Sequence, residues 1–425
     1  MIDTLRADHV GAYGYERNTT PVIDELARTG LRFELALSQS SWTLPSLMSL
    51  FTARHPPDLP GDLSDIRQAY GMDEGETTLA EQLHAAGYRT ISVATNPYNV
   101  DEIFRLMQGF EEKVLEVKAP ASWVVDRAVE RLDAVPADRV GAPFFLYLHL
   151  MDVHTPYAPP PPYDRMFAPS AAASDAGPDR DPAGATGPEE LESPGFLARR
   201  SRSVALYDGA LRFADAELGR LLEQLALRGL RDTTVLAIAS DHGEAFWDRV
   251  ELERALGLHS HGKPGQFGVG HGHTVFRELV SVPLILNGPG IRPGVAPGPV
   301  RNLDLAPTLL ALAGLPPGGL EGDGVDLSGS DPRTLPPALS ETRRLDRLQR
   351  SLVTGQGQLV RIDAAELYFD TSQSGWPRAE VAPDTRARLS RELDATLAGA
   401  RRVRSRQGYI DRETVESLRA LGYLR

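Results

Sequence analysis

The sequence contains no cysteine, and this absence excludes several kinds of chemistry. Its 425 residues offer no disulfide, no thiolate metal ligand and no cysteine nucleophile. Lysine is also scarce, since it occurs only at Lys113, Lys118 and Lys263, and arginine supplies nearly all of the positive charge. No stretch is apolar and long enough to span a membrane, and no signal peptide is visible.

The net charge of −13 narrows the range of partners. Binding to nucleic acid needs a basic surface, so the charge argues against nucleic acid as the main partner. A small anionic substrate remains compatible with it, because a metal ion or a local dipole can reverse the field inside one pocket. The hydrophobic share of 41% is ample for a large core.

Helix-like and strand-like segments alternate from residue 20 onward. Helical spacing is clear in VIDELARTG, which ends at Gly30, in Thr78 to Ala86, and in RNLDLAPTLLALAGL from residue 301. Apolar runs typical of strands buried on both faces of a parallel sheet occur at Thr90 to Ala94, 143–150, Thr234 to Ala239 and VPLILN from 282. The alternation predicts an α/β architecture of the doubly wound kind, in which ligands bind beyond the carboxyl ends of the strands.

Two regions depart from this alternation. Residues 169–198 are rich in Ala, Gly, Pro and Asp and predict a surface insertion within a catalytic domain spanning 1–330. Residues 331–425 predict a smaller α+β subdomain. Within it, 350–370 is interpreted as two short antiparallel strands, and 389–406 and 411–424 as amphipathic helices.

Polar residues suited to catalysis cluster at five places, most of them next to predicted strand ends. Alone, each has an ordinary explanation, such as a turn, a capping residue or a hydrogen-bonded loop histidine. Thr43, for example, is most simply a helix N-cap with Pro45 in the first turn. The five clusters are IDTLRADHVG with Asp3, Asp8 and His9; SWTLPSL; LHLMDVHTPY with Asp152 and His154; SDHGE; and GVGHGHTVFRE with His271 and His273.

Taken together, the clusters predict a site for one divalent metal ion. A carboxylate pair, an imidazole and a hydroxyl form a workable ligand set, and these are Asp3, Asp241, His242 and Thr43. The metal would lower the hydroxyl pKa of Thr43 and make it a nucleophile. The helix starting near Pro45 would direct its positive end toward an anionic substrate.

The same clusters contain histidines that could act on the substrate and its leaving group. His154 and His271 are predicted to bind substrate oxygens or to protonate the leaving group. This combination indicates hydrolysis or transfer of a tetrahedral oxyanion ester, either phosphoryl or sulfuryl.

The order of these motifs resembles the sulfatase family of the alkaline-phosphatase superfamily. DTLRADHVGAYGYERNTTPVIDELARTGLRF is similar to the opening of that family, and SQSSWTLPSLMSLFTARHP to its nucleophile segment. HLMDVHTPYAPP, SDHGEAF, GHGHTVFRELVSVPLILNGPG and VRNLDLAPTLLALAGL follow in the family's order, and the C-terminal tail is also similar. The resemblance implies a mixed, mostly parallel sheet between helices and a small C-terminal antiparallel sheet.

The resemblance also implies roles for individual residues. Asp3, Asp241, His242 and Thr43 correspond to metal ligands, with Thr43 as the nucleophile. His154 and His271 correspond to residues that bind the substrate or the leaving group, with His273 left unranked beside His271.

Two departures from the family pattern affect the chemistry. Sulfatases proper convert Cys or Ser in C/S-x-P-x-R to formylglycine, whereas Thr43 and Leu47 stand at those positions here, so no formylglycine is expected. A threonine at the nucleophile position resembles the pattern of the lipoteichoic-acid and phosphoethanolamine transferases of the superfamily. Asp3-Thr4 replaces a pair of aspartates, which favours Mn over Ca as the metal, with Mg and Zn as alternatives.

The beginning of the sequence is short for this family. Only Met1 and Ile2 precede Asp3, so we expect a further strand upstream, with an export signal or anchor that would make the protein periplasmic or exported. The leading prediction is a metal-dependent hydrolase acting on a small anionic ester, on a glycan or a lipid head group. The alternatives are a phosphoryl-group transferase and a degenerate member that only binds anions or glycans.

Overall fold

The computed structural model describes residues 1–58, 68–99, 101–135, 139–168, 188–260, 265–316, 319–331, 334–343 and 347–420. The strands are β1 Leu31–Leu37, β2 Gln68–Met72, β3 Arg89–Ala94, β4 Glu112–Leu115, β5 Phe144–His149, β6 Leu236–Ala239, β7 Ala245–Phe246, β8 Val269–Gly270, β9 Ser281–Val282, β10 Leu284–Asn287, β11 Gly294–Arg301, β12 Ala338–Thr342, β13 Gln349–Thr354, β14 Gly357–Ile362, β15 Ala365–Phe369 and β16 Ser405–Tyr409.

Helices separate most of these strands. They are α1 Pro21–Thr29, α2 Thr43–Thr52, α3 Leu79–Ala85, α4 Asp101–Phe104, α5 Ala121–Asp133, α6 Tyr163–Met166, α7 Pro188–Leu191, α8 Pro194–Leu227, α9 Val250–Leu256, α10 Arg277–Val280, α11 Leu305–Leu312, α12 Pro383–Gly399 and α13 Arg412–Ala420. Among the described residues, no helix is both long and apolar enough to cross a membrane.

The central sheet is mixed and mostly parallel, as predicted. One part has the order β11-β1-β10-β6 and the other the order β4-β3-β5. Ile2 connects the two parts, because its nitrogen donates to Ala239 O at the end of β6 and it bridges Leu150 in parallel beside β5. The strand ends that carry the polar motifs therefore meet near Asp3.

Helices cover both faces of this sheet. Along β10, Leu284 and Leu286 belong to one apolar cluster and Ile285 to the other, as the two-residue period of a strand requires. The first cluster also takes residues from α2, such as Met48, and the second takes residues from α8, such as Leu211. The two apolar faces explain why these strands are nearly continuous in hydrophobic residues.

The predicted helices and strands are largely confirmed. Thr78 is the N-cap of α3 and forms a capping box with Glu81, which explains where this helix begins. One interpretation was wrong: VPLILN is not a parallel strand, since β10 runs antiparallel to both β1 and β6. An apolar run indicates that a strand is buried on both faces, but it does not indicate the direction of the strand. The sequence pattern therefore could not distinguish a parallel from an antiparallel strand.

The C-terminal region contains more strands than predicted. β12, β13, β14 and β15 form a four-stranded antiparallel sheet, and three of these strands lie in the stretch interpreted as two. The predicted helix at 389–406 is wrong at its end, because α12 stops at Gly399 and β16 follows. β16 pairs with β2, far upstream in the chain. The division at residue 330 remains a prediction.

The predicted insertion at 169–198 is only partly described. Residues 169–187 lie outside the described residues. The remainder forms α7 and the first turns of α8. That the whole segment is an insertion remains a prediction. Ser193 caps α8 by accepting a hydrogen bond from Phe196 N, and Pro194 occupies the first turn, so a local capping signal was present.

Met1 and Ile2 lie in the central sheet between β5 and β6. The Met1 nitrogen donates to Leu148 O, and Leu150 N donates to Met1 O, as neighbouring parallel strands do. An apolar cavity of 580 Å³ is lined by Met1 and by residues of β5, β6 and α8. The expected further strand ahead of Met1 remains a prediction.

Candidate active site

The predicted metal ligands meet at the carboxyl ends of the strands. Asp3 directly follows the extended residues Met1 and Ile2, and its nitrogen donates to Leu150 O. Asp241 and His242 follow β6, and Thr43 begins α2. All four side chains are fully buried. The topology thus brings together residues that are separated by as many as 239 positions.

Three of these residues could hold a metal ion. One ligand atom from each of Asp3, Asp241 and His242 lies within 4.8 Å of the others. His242 Nε2 is 3.3 Å from Asp241 Oδ2 and 3.8 Å from Asp3 Oδ1. Among the described residues, no group donates a hydrogen bond to the buried Asp3 Oδ1. Buried oxygens of this kind and an imidazole nitrogen fit a divalent cation.

The orientation of His242 suits a ligand nitrogen. Its Nδ1 lies 2.9 Å from Gly243 O, which can only accept a hydrogen bond, so Nδ1 carries the proton. Nε2 then keeps its lone pair and points toward Asp3 and Asp241. A second hydrogen bond of this kind commonly fixes the tautomer of a metal-binding histidine.

The surroundings of Asp3 and Asp241 shift the pKa values of these two carboxylates in opposite directions. Burial raises the pKa of Asp3, but the hydrogen bond from His149 and the nearby histidines lower it more, so its pKa lies well below the usual range. Burial and the negative charge of Asp3 raise the pKa of Asp241. A cation between the two carboxylates would relieve this repulsion.

Thr43 is the first residue of α2, with its hydroxyl facing the cluster. Its Oγ1 lies 3.1 Å from His242 Nε2. The N-cap interpretation was wrong, because Trp42 occupies the N-cap position and makes no side-chain cap bond. The helix also begins two residues before Pro45. Thr43 thus lies at the positive end of α2, within reach of the candidate ligands.

His154 and His271 lie beside this cluster, as predicted. The His271 ring is 4.4 Å from the His242 ring and 5.0 Å from the His154 ring, measured between centroids. His154 donates through Nδ1 to Thr155 O at 2.6 Å. Glu244 Oε2 lies 3.4 Å from His271 Nδ1, so the last residue of SDHGE orients this histidine.

The β7–β8 ribbon explains how Glu244 meets His271. Ala245 pairs with Gly270 in antiparallel register, which places the preceding residue of one strand opposite the following residue of the other. Arg6 Nη1 donates to Glu244 O and fixes the backbone at this point.

Other residues of the five clusters lie outside the site. His273 Nε2 is 3.2 Å from Glu253 Oε1, in a separate buried pair. Asp8 pairs with Arg6 and Arg277, and His9 pairs with Asp208 at 2.8 Å. Asp152 Oδ1 accepts from Ala121 N at the start of α5. These residues stabilise the surrounding loops and helices.

Two residues that contact Asp3 were not predicted from the sequence. Asn96 Nδ2 donates to Asp3 Oδ2 at 2.6 Å, and His149 Nε2 lies 3.1 Å from the same oxygen. Asn96 follows β3, so its position after an apolar strand was an available signal. His149 lies in the apolar run that forms β5 and in the LHLMDVHTPY cluster, but it was not singled out, since a single histidine in a strand carries no clear pattern.

The fold is similar to that of solved structures from the alkaline phosphatase superfamily. A crystal structure from that superfamily, from Vibrio parahaemolyticus, matches with a TM-score of 0.61 and 18% identity, covering 94% of this chain and 84% of its own. The phosphonate monoester hydrolase of Agrobacterium radiobacter matches with a TM-score of 0.66 and 18% identity, covering 93% and 94% of the two chains. At these identities the likeness establishes the fold.

The chain belongs to the sulfatase family. The family profile described as Sulfatase matches residues 1–315. Arylsulfatase A of Homo sapiens is 28% identical over 377 residues, which cover 77% of this chain and 65% of that protein. The chain therefore spans slightly less than two thirds of the length of arylsulfatase A.

Proposed function

We propose that this protein is a metal-dependent hydrolase of a sulfuric or phosphoric ester, with Thr43 as its nucleophile. The observation that supports this most strongly is the position of the Thr43 hydroxyl. It lies 3.1 Å from His242 Nε2, beside the buried atoms of Asp3 and Asp241 that could hold a cation. A helix cap alone needs no such neighbours, and the N-cap position of α2 is occupied by Trp42.

Asp3, Asp241, His242 and Thr43 would hold one divalent ion. When bound, this ion would lower the hydroxyl pKa of Thr43, so that its proton passes to solvent, and would neutralise charge on the substrate oxygens. The N-terminus of α2 orients the same oxygens by its dipole. Thr43 Oγ1 then attacks the sulfur or phosphorus, and the bond to the leaving oxygen breaks.

His271 supplies the proton that the leaving oxygen needs. Glu244 holds Nδ1 of this ring, so Nε2 is the nitrogen that delivers the proton. Water then attacks the ester on Thr43 while His271 takes a proton from it, which releases the acid and regenerates the threonine. His154, 5.0 Å away between ring centroids, binds a substrate oxygen.

The substrate we propose is a small anionic ester on a glycan or a lipid head group. One relative is named arylsulfatase A, and one structural neighbour is named a phosphonate monoester hydrolase. These names support a tetrahedral sulfur or phosphorus centre in the substrate. Thr43 acts without conversion to formylglycine, because that residue arises from cysteine or serine. An intact mass equal to that of the unmodified sequence would agree with this, and a mass change located at residue 43 would contradict it.

A rate comparison tests the proposal. The protein, loaded with Mn²⁺, is assayed on p-nitrophenyl sulfate, p-nitrophenyl phosphate and bis-p-nitrophenyl phosphate, with Thr43→Ala beside it. We expect turnover of at least one ester and a loss of about 100-fold or more in Thr43→Ala. Ser49→Ala, which removes another buried hydroxyl from α2, serves as the control.

Each outcome has a distinct meaning. Preference for a phosphate ester would place the enzyme with the phosphoesterases of the superfamily. Preference for the sulfate ester would show that an unmodified threonine can act as the nucleophile in sulfuryl transfer. Faster consumption of substrate with an acceptor alcohol, yielding the alkyl ester, would identify a transferase. Activity that survives in Thr43→Ala would refute Thr43 as the nucleophile.

A further inference from the structure

The two carboxylate oxygens of Asp3 have different surroundings. Oδ2 accepts hydrogen bonds from Asn96 Nδ2 at 2.6 Å and from His149 Nε2 at 3.1 Å. Oδ1 accepts none from the described residues and faces His242 Nε2 at 3.8 Å. One oxygen is therefore engaged by the protein, and the other is directed into the candidate metal site.

The amide of Asn96 is fixed in the orientation that donates. Its Oδ1 accepts a hydrogen bond from Tyr98 N at 2.9 Å, which requires the oxygen to lie on that side. Nδ2 then points to Asp3. The contact is a property of the turn after β3, where residues 97–99 form a short 3₁₀ helix.

The tautomer of His149 is fixed in the same manner. Asn99 Nδ2 donates to Asn96 O at 3.2 Å and lies 3.1 Å from His149 Nδ1. An amide nitrogen can only donate, so Nδ1 is the acceptor and Nε2 carries the proton. His149 Nε2 therefore donates to Asp3 Oδ2.

The position of His149 follows from strand register. Ala94 pairs with His149 across β3 and β5, and Ile2 bridges Leu150, the next residue. The ends of β3, β5 and the N-terminal segment thus place Asn96, His149 and Asp3 beside one another. All three side chains are fully buried, so water does not replace these contacts.

We propose that Asp3 binds the metal through Oδ1 alone, and that Asn96 and His149 are the positioning residues that hold it in this orientation. The inference rests on the metal site of the proposed function. Two hydrogen-bond donors on Oδ2 prevent the carboxylate from rotating to offer both oxygens. Loss of such outer partners typically lowers metal affinity by about 10-fold to 100-fold.

Calorimetric titration of the metal-free protein with Mn²⁺ tests this directly. We expect binding about 10-fold to 100-fold weaker in His149→Leu and in Asn96→Leu. His149→Gln, which keeps a donor in reach of Oδ2, should recover much of the affinity. His55→Leu is the matched control, because His55 is also a buried histidine but lies past the far end of α2.

A double-substitution cycle separates positioning from general damage. In an Asp3→Ala background, His149→Leu should cause no further loss of Mn²⁺ affinity, because its effect is exerted through Asp3. A further loss of similar size in that background would overturn the inference. Circular dichroism and melting temperature establish which variants are folded, and Asn96→Leu supplies the test if His149→Leu is not.

Failure of the inference and failure of the proposed function give different results. If the unsubstituted protein binds Mn²⁺ and both leucine variants bind it within twofold, the positioning role is wrong and the metal site stands. If the unsubstituted protein binds none of Mn²⁺, Ca²⁺, Mg²⁺ and Zn²⁺, the metal site itself is wrong and the inference falls with it.

Discussion

At the scale of residues, two histidines two positions apart have different surroundings. His271 lies against His242 and His154, whereas His273 is paired with Glu253 and its carbonyl accepts from Gln349. The sequence pattern did not rank one above the other as a site residue. The spacing in GVGHGHTVF places both at the same loop, and only the register of β7 and β8 separates them.

We expect His271→Gln to affect catalysis and His273→Gln to affect stability. His271→Gln should lower kcat by about 100-fold or more with little change in melting temperature, because it removes a proton donor. His273→Gln should lower the free energy of unfolding by about 1–3 kcal/mol, because it weakens a buried contact to Glu253. Steady-state kinetics and thermal melts distinguish them. A loss of turnover confined to His273→Gln would reverse the assignment.

The sequence predicted which residues lie close together where a residue type and a strand end coincided. Asp3, Asp241 and His242 were predicted to lie together because several clusters of acids and imidazoles follow strand ends, where an α/β sheet binds its ligands. One ligand atom from each lies within 4.8 Å of the others. Asn96 and His149 were missed because an amide in a turn and a histidine inside a strand each have many ordinary roles. Their importance depends on contacts with Asp3, which are set by tertiary structure.

At the scale of elements, two helices are capped by aspartates from other parts of the chain. Asp152 Oδ1 accepts from Ala121 N at the start of α5, and Asp215 accepts from Val22 N and Ile23 N at the start of α1. Neither helix has a side-chain cap from its own N-cap residue. Local capping signals therefore could not identify these contacts, and Asp152 was grouped with candidate site residues instead.

The cap on α5 has a pH dependence that can be measured. Burial raises the pKa of Asp152 to about 7, above its ordinary value of 3.8. The folded state then binds a proton that the unfolded state releases between about pH 4 and pH 7, so the free energy of unfolding falls as pH rises through that window. Asp152→Asn should remove this fall, worth up to about 4 kcal/mol.

Urea unfolding at pH 5 and at pH 8 checks the expectation. The difference between the two pH values should be smaller in Asp152→Asn than in the unsubstituted protein. Asp384→Asn, at an exposed position in α12, should leave that difference unchanged. An equal pH dependence in all three proteins would show that Asp152 does not bind the proton.

At the scale of the whole molecule, the C-terminal sheet supports the loop that carries His271. Three of its side chains, Thr342, Gln349 and Gln358, donate to the carbonyls of Gly272, His273 and Val275. The segment before α2 is held as well, because Glu341 N donates to Gln39 O. β16 returns to pair with β2. These contacts cross the predicted division at residue 330.

We therefore expect a chain of residues 1–330 to lack cooperative unfolding and Mn²⁺ binding. Removing residues 331–425 leaves buried carbonyls of the His271 loop without their donors and deprives β2 of its partner. Adding the 331–425 segment in trans should restore Mn²⁺ binding, measured by calorimetry. Full cooperativity and unaltered affinity in the shortened chain would show that the predicted division is a true domain boundary.

The sequence by itself determined the alternation of helices and strands, the apolar runs of the central sheet and the candidate ligands at its strand ends. These follow from periodicity and residue type, which are local. Tertiary structure alone decided that β10 is antiparallel, that Trp42 precedes the helix that Thr43 begins, and that His149 reaches Asp3. Those outcomes depend on strand direction and register, which are fixed only when distant segments pack together.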